Sequence, residues 1–323
     1  MSGVSGSTAT ATTGIAEPGD SGRVTAEPYI GRFAPSPTGA LHLGSLLAAL
    51  GSYLDARHHG GQWLLRMEDV DTPRVVPGCA DQILRTLECF GLTWDGPVTY
   101  QSRNTDAYAA ALDRLKENGH TFECGCSRRL RLAEERGYPG TCRDKTPLTD
   151  PRSERPRTAT RFRIEEHQTV VIADRFQGEC KFALRTLGDV VIRRRDGLVA
   201  YQLAVVVDDA AQNINYVVRG ADLLASTPWQ TSLQAALGLA RPRYAHLPLV
   251  VEPDGTKLAK SRRAVPLETA RAGTLLLAAL KLLGQSTPAG LEFETPSAIL
   301  EWGVNHWNPH AFHGIRTVPA PPA

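Results

Sequence analysis

The sequence predicts an α/β protein built on a parallel sheet, with a ligand crevice at the carboxyl ends of its strands. Two observations lead there. Short apolar strands alternate with amphipathic helices over the first part of the chain, and the stretch from Gly31 to Ser45 reads as a buried strand, a rigid turn and a helix start in immediate succession. With 323 residues and 42% hydrophobic content, the chain can bury a substantial core. Its 36 basic and 34 acidic residues nearly cancel, so a nucleic-acid contact must come from a local patch and not from net charge. No apolar run approaches the roughly 18 residues of a membrane span, and no membrane partner is expected.

In chain order, residues 1–28 are rich in Ser, Gly, Thr and Ala and lack an apolar stretch, so they are expected to form a disordered tail and not a signal peptide. Tyr29 to Ala34 supplies the first strand. Pro35 and Pro37 stiffen the connection, Gly39 permits close backbone approach, and Leu41, Leu46, Leu47 and Leu50 begin a helical stripe. His42 falls in the first turn, where free amides and the helix dipole favour an anionic group. Gln62 to Met67 reads as a second strand ending in Glu68-Asp69-Val70-Asp71, and Cys79 to Phe90 as a helix through Ile83, Leu84 and Leu87. Asp106 can cap a further helix whose inner face is Tyr108, Leu112 and Leu115, with Gly119 ending it before the strand-like His120-Thr121-Phe122.

The segment Arg143 to Arg163 carries many arginines with Pro147, Pro151 and Pro156, and reads as an irregular insertion: a solvated loop or a contact with an RNA backbone. Strands return from Val190, with a hairpin turn at Arg195-Asp196-Gly197, a fully buried strand at Leu203 to Val207 and another at Asn215 to Val218. Thr227-Pro228 then opens a helix reaching about Leu239. Beyond Pro266 only short helical patterns remain, Leu267 to Leu283 and Pro296 to Trp302.

Two further features carry chemistry. Cys124, Cys126 and Cys142 cluster while Cys79, Cys89 and Cys180 are scattered, which is unlike a disulfide framework and fits the reducing cytoplasm. Three thiolates suit zinc, and a structural site closes with a fourth ligand, for which His120 is a candidate. Downstream, Asp254 to Ser261 places Lys257 and Lys260 on a Gly-containing turn after the apolar run Leu247 to Val251. Alone, that turn is a charged hairpin.

Together, however, the two stretches resemble the paired signatures of class I aminoacyl-tRNA synthetases, His42-Leu43-Gly44-Ser45 standing for the HIGH motif and Lys257 to Ser261 for KMSKS. The resemblance runs from about Tyr29 to Pro266 and is closest to the glutamyl branch, where Arg32 to Gly39 and Arg66-Met67-Glu68-Asp69 are also expected. It implies a Rossmann-like catalytic domain over residues 29–265, with a small zinc-binding, acceptor-binding-like lobe inserted at about 120–185, then a short helical segment and Pro-rich end at 266–323. It implies ATP with Mg2+ and L-glutamate as substrates, a glutamate carboxylate attacking the α-phosphate before glutamate passes to RNA.

The same resemblance assigns ATP to His42, Gly44, Ser45, Lys257, Lys260 and Ser261, with His42, Lys257 and Lys260 catalytic. Glutamate falls to Arg32, Phe33, Ala34, Pro35 and Ser36 together with Glu68, Tyr201 and Arg219. The chemistry agrees: a side-chain carboxylate needs a guanidinium, from Arg32 or Arg219, and an α-ammonium needs a carboxylate, from Glu68. Tyr201, placed on a strand beside the cleft, resembles the family's substrate tyrosine, whose hydroxyl can discriminate by hydrogen bonding. For the metal, the spacing of Cys124, Cys126, Tyr138 and Cys142 resembles the branch's zinc knuckle and implies Tyr138 as fourth ligand, with His120 still a competitor.

Three functional readings remain open. The first is a short glutamyl-branch enzyme, a monomer without the anticodon-binding domain, that joins glutamate to queuosine in the anticodon loop of tRNA(Asp). Residues 266–323 fall short of the roughly 100 to 150 residues such a domain needs, and Glu68 to Gly78 and Val218 to Leu224 look like this branch. The second is a truncated glutamyl-tRNA synthetase that charges the tRNA terminus. The third is a catalytically silent RNA-binding relative, against which the intact signature residues argue. Ala259 and Trp229 depart from the family pattern, where Ser and Arg are expected; since both lysines survive, an altered loop is expected and not a dead one.

Overall fold

The computed structural model describes residues 27–126, 138–145, 158–165, 167–252, 254–256 and 265–320. Most of the N-terminal tail, the loop carrying Lys257, Ala259, Lys260 and Ser261, and much of the stretch between Arg143 and Arg163 lie outside the described residues.

The chain opens with β1 (Ile30–Phe33), α1 (Leu43–His58) and β2 (Gln62–Met67), β1 and β2 pairing in parallel with Ile30 opposite Gln62. A parallel pair needs a crossover, and α1 supplies it. Next come α2 (Cys79–Cys89), β3 (Thr99–Tyr100), which extends the sheet in parallel beyond β2, α3 (Thr105–Glu117) and β4 (Thr121–Cys124). Asn104, and not Asp106, stands at the N-cap of α3; Asp106 lies in the first turn, where its charge suits the helix dipole.

Antiparallel structure follows: β5 (Ala159–Phe162), the hairpin β6 (Thr169–Asp174) and β7 (Gly178–Ala183), the single turn α4 (Leu184–Leu187), and β8 (Val190–Arg193). β5 pairs with β4 on one side and β8 on the other. The chain then returns through α5 (Tyr201–Ala211), β9 (Tyr216–Gly220), α6 (Thr227–Ala236) and β10 (Arg243–Leu247), β9 and β10 again parallel. The two parallel sheets meet at β1 and β9, where the Asn215 amide donates to the Ile30 carbonyl and the Asn215 side-chain oxygen accepts from the Ile30 amide. β1 therefore sits centrally, with neighbours drawn from opposite ends of the chain, the place where a parallel sheet opens its ligand crevice. Gly51 lets α1 settle onto this sheet: a Cβ there would come within 2.6 Å of the Leu247 side chain.

One expected element is of the other kind. Leu203 to Val207 is not a strand but the body of α5, so Tyr201 begins a helix. The helix is surrounded by Leu112 and Leu115 of α3, Phe162 and Ile192 of the antiparallel sheet, and Leu233 and Leu237 at α6. With core on every side it needs no polar stripe, and a continuous apolar run fits either structure.

The chain ends in β11 (Leu249–Val251), α7 (Ala272–Leu282), α8 (Pro296–Asn305) and β12 (Thr317–Pro319), which pairs in parallel with β11. Leu276 and Leu280 of α7 and Ile299 of α8 share one core with Leu50 and Leu54 of α1, and Trp307 Nε1 donates to Asp55 at 3.1 Å. The C-terminal helices thus brace the back of the helix whose front end faces the crevice. Among the described residues no helix is long and apolar enough to cross a membrane.

Candidate active site

A cleft of about 830 Å³ opens at the carboxyl ends of β1, β2 and β9. The run Arg32 to Ser36 together with His42, Gly44, Ser45, Glu68, Tyr201 and Arg219 all line it, although these residues are scattered over the chain. Lys257, Lys260 and Ser261 lie outside the described residues.

At one side of the cleft, His42 is the N-cap of α1. Its Nδ1 accepts from the Ser45 amide at 3.3 Å, and the Ser45 hydroxyl accepts from the His42 amide at 3.0 Å. An imidazole nitrogen that accepts carries no proton, so the ring proton is on Nε2 and His42 offers a donor at a helix N-terminus, a setting for an anion. Gly44 is needed beneath the ring, since a Cβ there would lie 3.0 Å from His42 Cε1 and 3.2 Å from Nδ1. Gly44→Ala is expected to leave the melting temperature nearly unchanged, because about 1 kcal/mol of helix propensity offsets about 1 kcal/mol of lost capping. Were ATP bound here, as the motif resemblance implies, the rate of ATP–pyrophosphate exchange should nevertheless fall about 100-fold as the ring is displaced. Equal exchange by the variant would remove His42 from the reaction.

The floor of the cleft is a buried ionic cluster. Arg32 meets Asp209 through Nε at 3.0 Å and Nη2 at 3.4 Å; Arg66 meets Asp209 at 2.8 Å, Glu68 at 3.5 Å and Asp208 at 3.9 Å. Asp208 is further held by Gln101, Asn104 and Tyr108. Two guanidinium groups thus face three carboxylates. Although burial pushes Asp209 upward, Arg32 and Arg66 hold its carboxyl below the usual range. Glu68 goes the other way: burial outweighs Arg66 and Arg32 and raises its carboxyl. Glu68 is therefore the least compensated carboxylate of the three and lies beside the cleft, where a cationic group would stabilise its ionised form.

Across the cleft the imbalance has the opposite sign. Arg219 is 6% exposed, and its partners are neutral: His246 Nε2 at 3.1 Å, the Tyr201 hydroxyl at 3.4 Å, the Leu223 carbonyl at 3.4 Å and the Thr227 hydroxyl at 3.0 Å. Among the described residues no carboxylate lies within 4.0 Å of it. A buried cation without an anion is expensive, and the end of Arg219 beside Tyr201 faces the space where one would sit.

Three features of the site escaped the sequence. Asp208 and Asp209 compensate Arg32 and Arg66, and their signal was two acids ending the apolar run Leu203 to Val207. His246 and Asp174 hold Arg219 from behind. At the mouth, Arg194 pairs with Asp71 at 2.8 Å, and the next residue, Arg195, donates to the carbonyls of Gly125 and Cys126. Arg194 lines the main cleft and also a smaller cavity beside Cys124 and Cys126.

Behind that hairpin the sulfurs of Cys124, Cys126 and Cys142 lie within 4.8 Å of one another. The Tyr138 hydroxyl is 3.5 Å from Cys124 Sγ and 3.8 Å from Cys126 Sγ, and accepts from the Cys142 amide at 2.9 Å. Tetrahedral zinc with bonds of about 2.3 Å sets sulfurs about 3.8 Å apart, so the donor set fits. Among the described residues His120 is not in this group. The nearby arginines serve the lobe itself: Arg143 makes a bidentate pair with Asp189, and Arg161 donates to the Asp189 carbonyl and lies 3.8 Å over the Tyr138 ring. Both are thus engaged within the lobe, while residues 146–157 of the arginine-rich segment lie outside the described residues.

Comparison with known proteins agrees with this architecture. The family model for the catalytic domain of class I tRNA synthetases (E and Q) matches residues 30–294. A glutamate tRNA ligase from Elizabethkingia meningosepticum, solved in complex with its amino acid, superimposes with a TM-score of 0.73 at 26% identity, covering 90% of this chain and 66% of that one. The chain belongs to the class I tRNA synthetases of this glutamyl and glutaminyl group and is a ligase-type enzyme. Within the group its relatives are the glutamyl-Q tRNA(Asp) synthetases: that of Dechloromonas aromatica is 54% identical over 289 residues, covering 87% of this chain and 94% of its own, and that of Ectopseudomonas mendocina is 52% identical over 292 residues, covering 90% and 97%.

Proposed function

We propose that this chain activates L-glutamate with ATP and Mg2+ as glutamyl-adenylate and transfers it to queuosine at the wobble position of tRNA(Asp). The observation that carries the glutamate assignment is the pair of under-compensated groups of opposite sign on the two sides of the cleft. Glu68 takes the α-ammonium, Arg219 with Tyr201 takes the side-chain carboxylate, and Arg32, already compensated by Asp209, borders the path between them. The α-carboxylate left between these anchors is the nucleophile. It attacks the α-phosphorus of ATP as the bond to pyrophosphate breaks, so the protein supplies position and charge stabilisation and no general base.

His42 donates from Nε2 to phosphoryl oxygens at the α1 N-terminus, and Lys257 and Lys260 are assigned to the departing pyrophosphate on the strength of the motif. In the second half-reaction a queuosine hydroxyl attacks the acyl carbon and AMP leaves. The glutamyl-Q relatives, matched over nearly their whole length, support this acceptor over the tRNA terminus. Substrates of this kind put the reaction in the cytoplasm.

Cys124, Cys126, Cys142 and Tyr138 would hold one structural zinc, which when bound cross-links the inserted lobe. Protein purified without chelators is expected to carry one zinc per chain by elemental analysis, and Cys142→Ser to lose it. Zinc retained in Tyr138→Phe but lost in His120→Ala would reassign the fourth ligand.

The acceptor is tested with radiolabelled glutamate and tRNA(Asp), with or without queuosine and with or without its terminal adenosine, removed enzymatically. Label that survives loss of the terminal adenosine and vanishes without queuosine supports the proposal. The reverse pattern makes this a terminus-charging enzyme, and no label under any condition a silent relative.

A further inference from the structure

Arg219 is held from behind by a chain of two buried groups, His246 and Asp174, whose donor and acceptor order is fixed. Asp174 ends β6 and lies in the protein interior at 4% exposure; His246, on β10, is fully buried. Asp174 Oδ1 accepts from the amides of Phe176 at 3.1 Å, Gln177 at 2.9 Å and His246 at 3.1 Å, and its Oδ2 meets His246 Nδ1. On the far side of the ring, His246 Nε2 faces Arg219 Nε at 3.1 Å. A guanidinium nitrogen only donates, so Nε2 must accept, and the single ring proton must lie on Nδ1, where the Asp174 carboxylate accepts it.

We propose that Asp174 and His246 are a positioning pair for amino-acid selection: they fix a neutral, Nδ1-protonated imidazole behind Arg219, which orients the guanidinium without neutralising it. This rests on the assignment of Arg219 to the substrate carboxylate made above. A carboxylate in place of His246 would orient Arg219 equally well but would pair with it, and the cleft would lose its call for an anionic side chain. The neutral ring leaves the positive charge to the substrate. The surroundings favour that state. Burial lowers the affinity of His246 for a second proton, and the cation of Arg219 adds to this against the pull of Asp174 and, more weakly, of Asp222; burial raises the Asp174 carboxyl, but the bond from His246 overrides it and keeps it ionised. Arg219 also lies over the face of Tyr244, 5.3 Å from the ring centre, which supports the cation without supplying a counter-charge.

The test exchanges the order of donors without changing shape. In Asp174→Asn the three amides still find a carbonyl oxygen, but the amide nitrogen now donates to Nδ1, forcing the ring proton onto Nε2 against Arg219 Nε–H. In glutamate-dependent pyrophosphate exchange the KM for glutamate is expected to rise on the order of 10- to 100-fold, the loss of one buried hydrogen bond to a charged group, while the KM for ATP stays put. His246→Leu should do the same, and His246→Gln, whose amide keeps a donor toward Asp174 and an acceptor toward Arg219, should recover most of the glutamate affinity.

An unchanged glutamate KM in Asp174→Asn, or equal damage from His246→Gln and His246→Leu, would reduce the pair to ordinary packing and overturn the proposal. Should the variants not fold, nitrogen NMR of the imidazole in the unmodified enzyme decides: a proton on Nε2 at neutral pH contradicts it. Arg219→Lys separates the two levels. If that change leaves the glutamate KM untouched, the substrate assignment itself fails; if it raises the KM while Asp174→Asn does not, only the positioning pair fails.

Discussion

Arg219→Ala is expected to lower kcat/KM for glutamate in pyrophosphate exchange on the order of a thousandfold, the cost of truncating one partner of a buried charge pair. The loss should be specific. Glutamine should bind poorly to the unmodified enzyme, since its amide cannot compensate a buried guanidinium, whereas in the variant glutamate would bring an uncompensated carboxylate into the same space. The preference for glutamate over glutamine should therefore collapse along with the rate. Folding should suffer little, since the substitution removes a buried cation that has only neutral partners. Exchange kinetics with both amino acids, beside a urea melt, check all three statements. Retained preference for glutamate would move the carboxylate to Arg32.

Asp209→Ala is expected to do the opposite, damaging stability first. Asp209 is the shared partner of Arg32 and Arg66, which are 3% and 1% exposed. Removing it leaves two guanidinium groups facing only Glu68 and the already committed Asp208. Breaking a buried pair of this kind costs about 3–5 kcal/mol, measurable as a fall in the urea midpoint. Because Glu68 would then be drawn into compensating both arginines, the cleft should also lose affinity for the α-ammonium of glutamate. A midpoint unchanged within error would show that the cluster is solvated and contributes nothing.

These two residues also mark what the sequence reveals and what it hides. The strand, turn and helix from Ile30 to His58 are legible because the signals that mark them are local: an apolar strand, prolines in the turn, and a capping box between His42 and Ser45. Cys124, Cys126 and Cys142 are legible through spacing, whereas Tyr138 is singled out only by the family resemblance. Arg32 can be picked out as a cleft residue, but its partner Asp209 is 177 positions away, and the pairing depends on how α5 packs beneath β1. The helical state of Leu203 to Val207 is hidden for a related reason, since a segment buried on all sides carries no periodic polar face. His246 is quieter still: one histidine in the apolar run Tyr244 to Val251 reads as core, and only the fold shows that Asp174 and Arg219 meet at its two nitrogens.

The hairpin that carries Arg194 and Arg195 ties two places together that the chemistry treats separately. One arginine clasps Asp71 at the mouth of the cleft, and its neighbour clasps the carbonyls of the loop between Cys124 and Cys126. Both grips draw on the position of one short turn, so if the thiols hold the proposed zinc and the cleft receives the proposed tRNA, the two bindings become linked. Linkage is reciprocal: by whatever factor zinc strengthens the hold on tRNA, bound tRNA must strengthen the hold on zinc. Chelator resistance that grows with tRNA concentration would then be a binding measurement for the acceptor, made without following any chemistry at all.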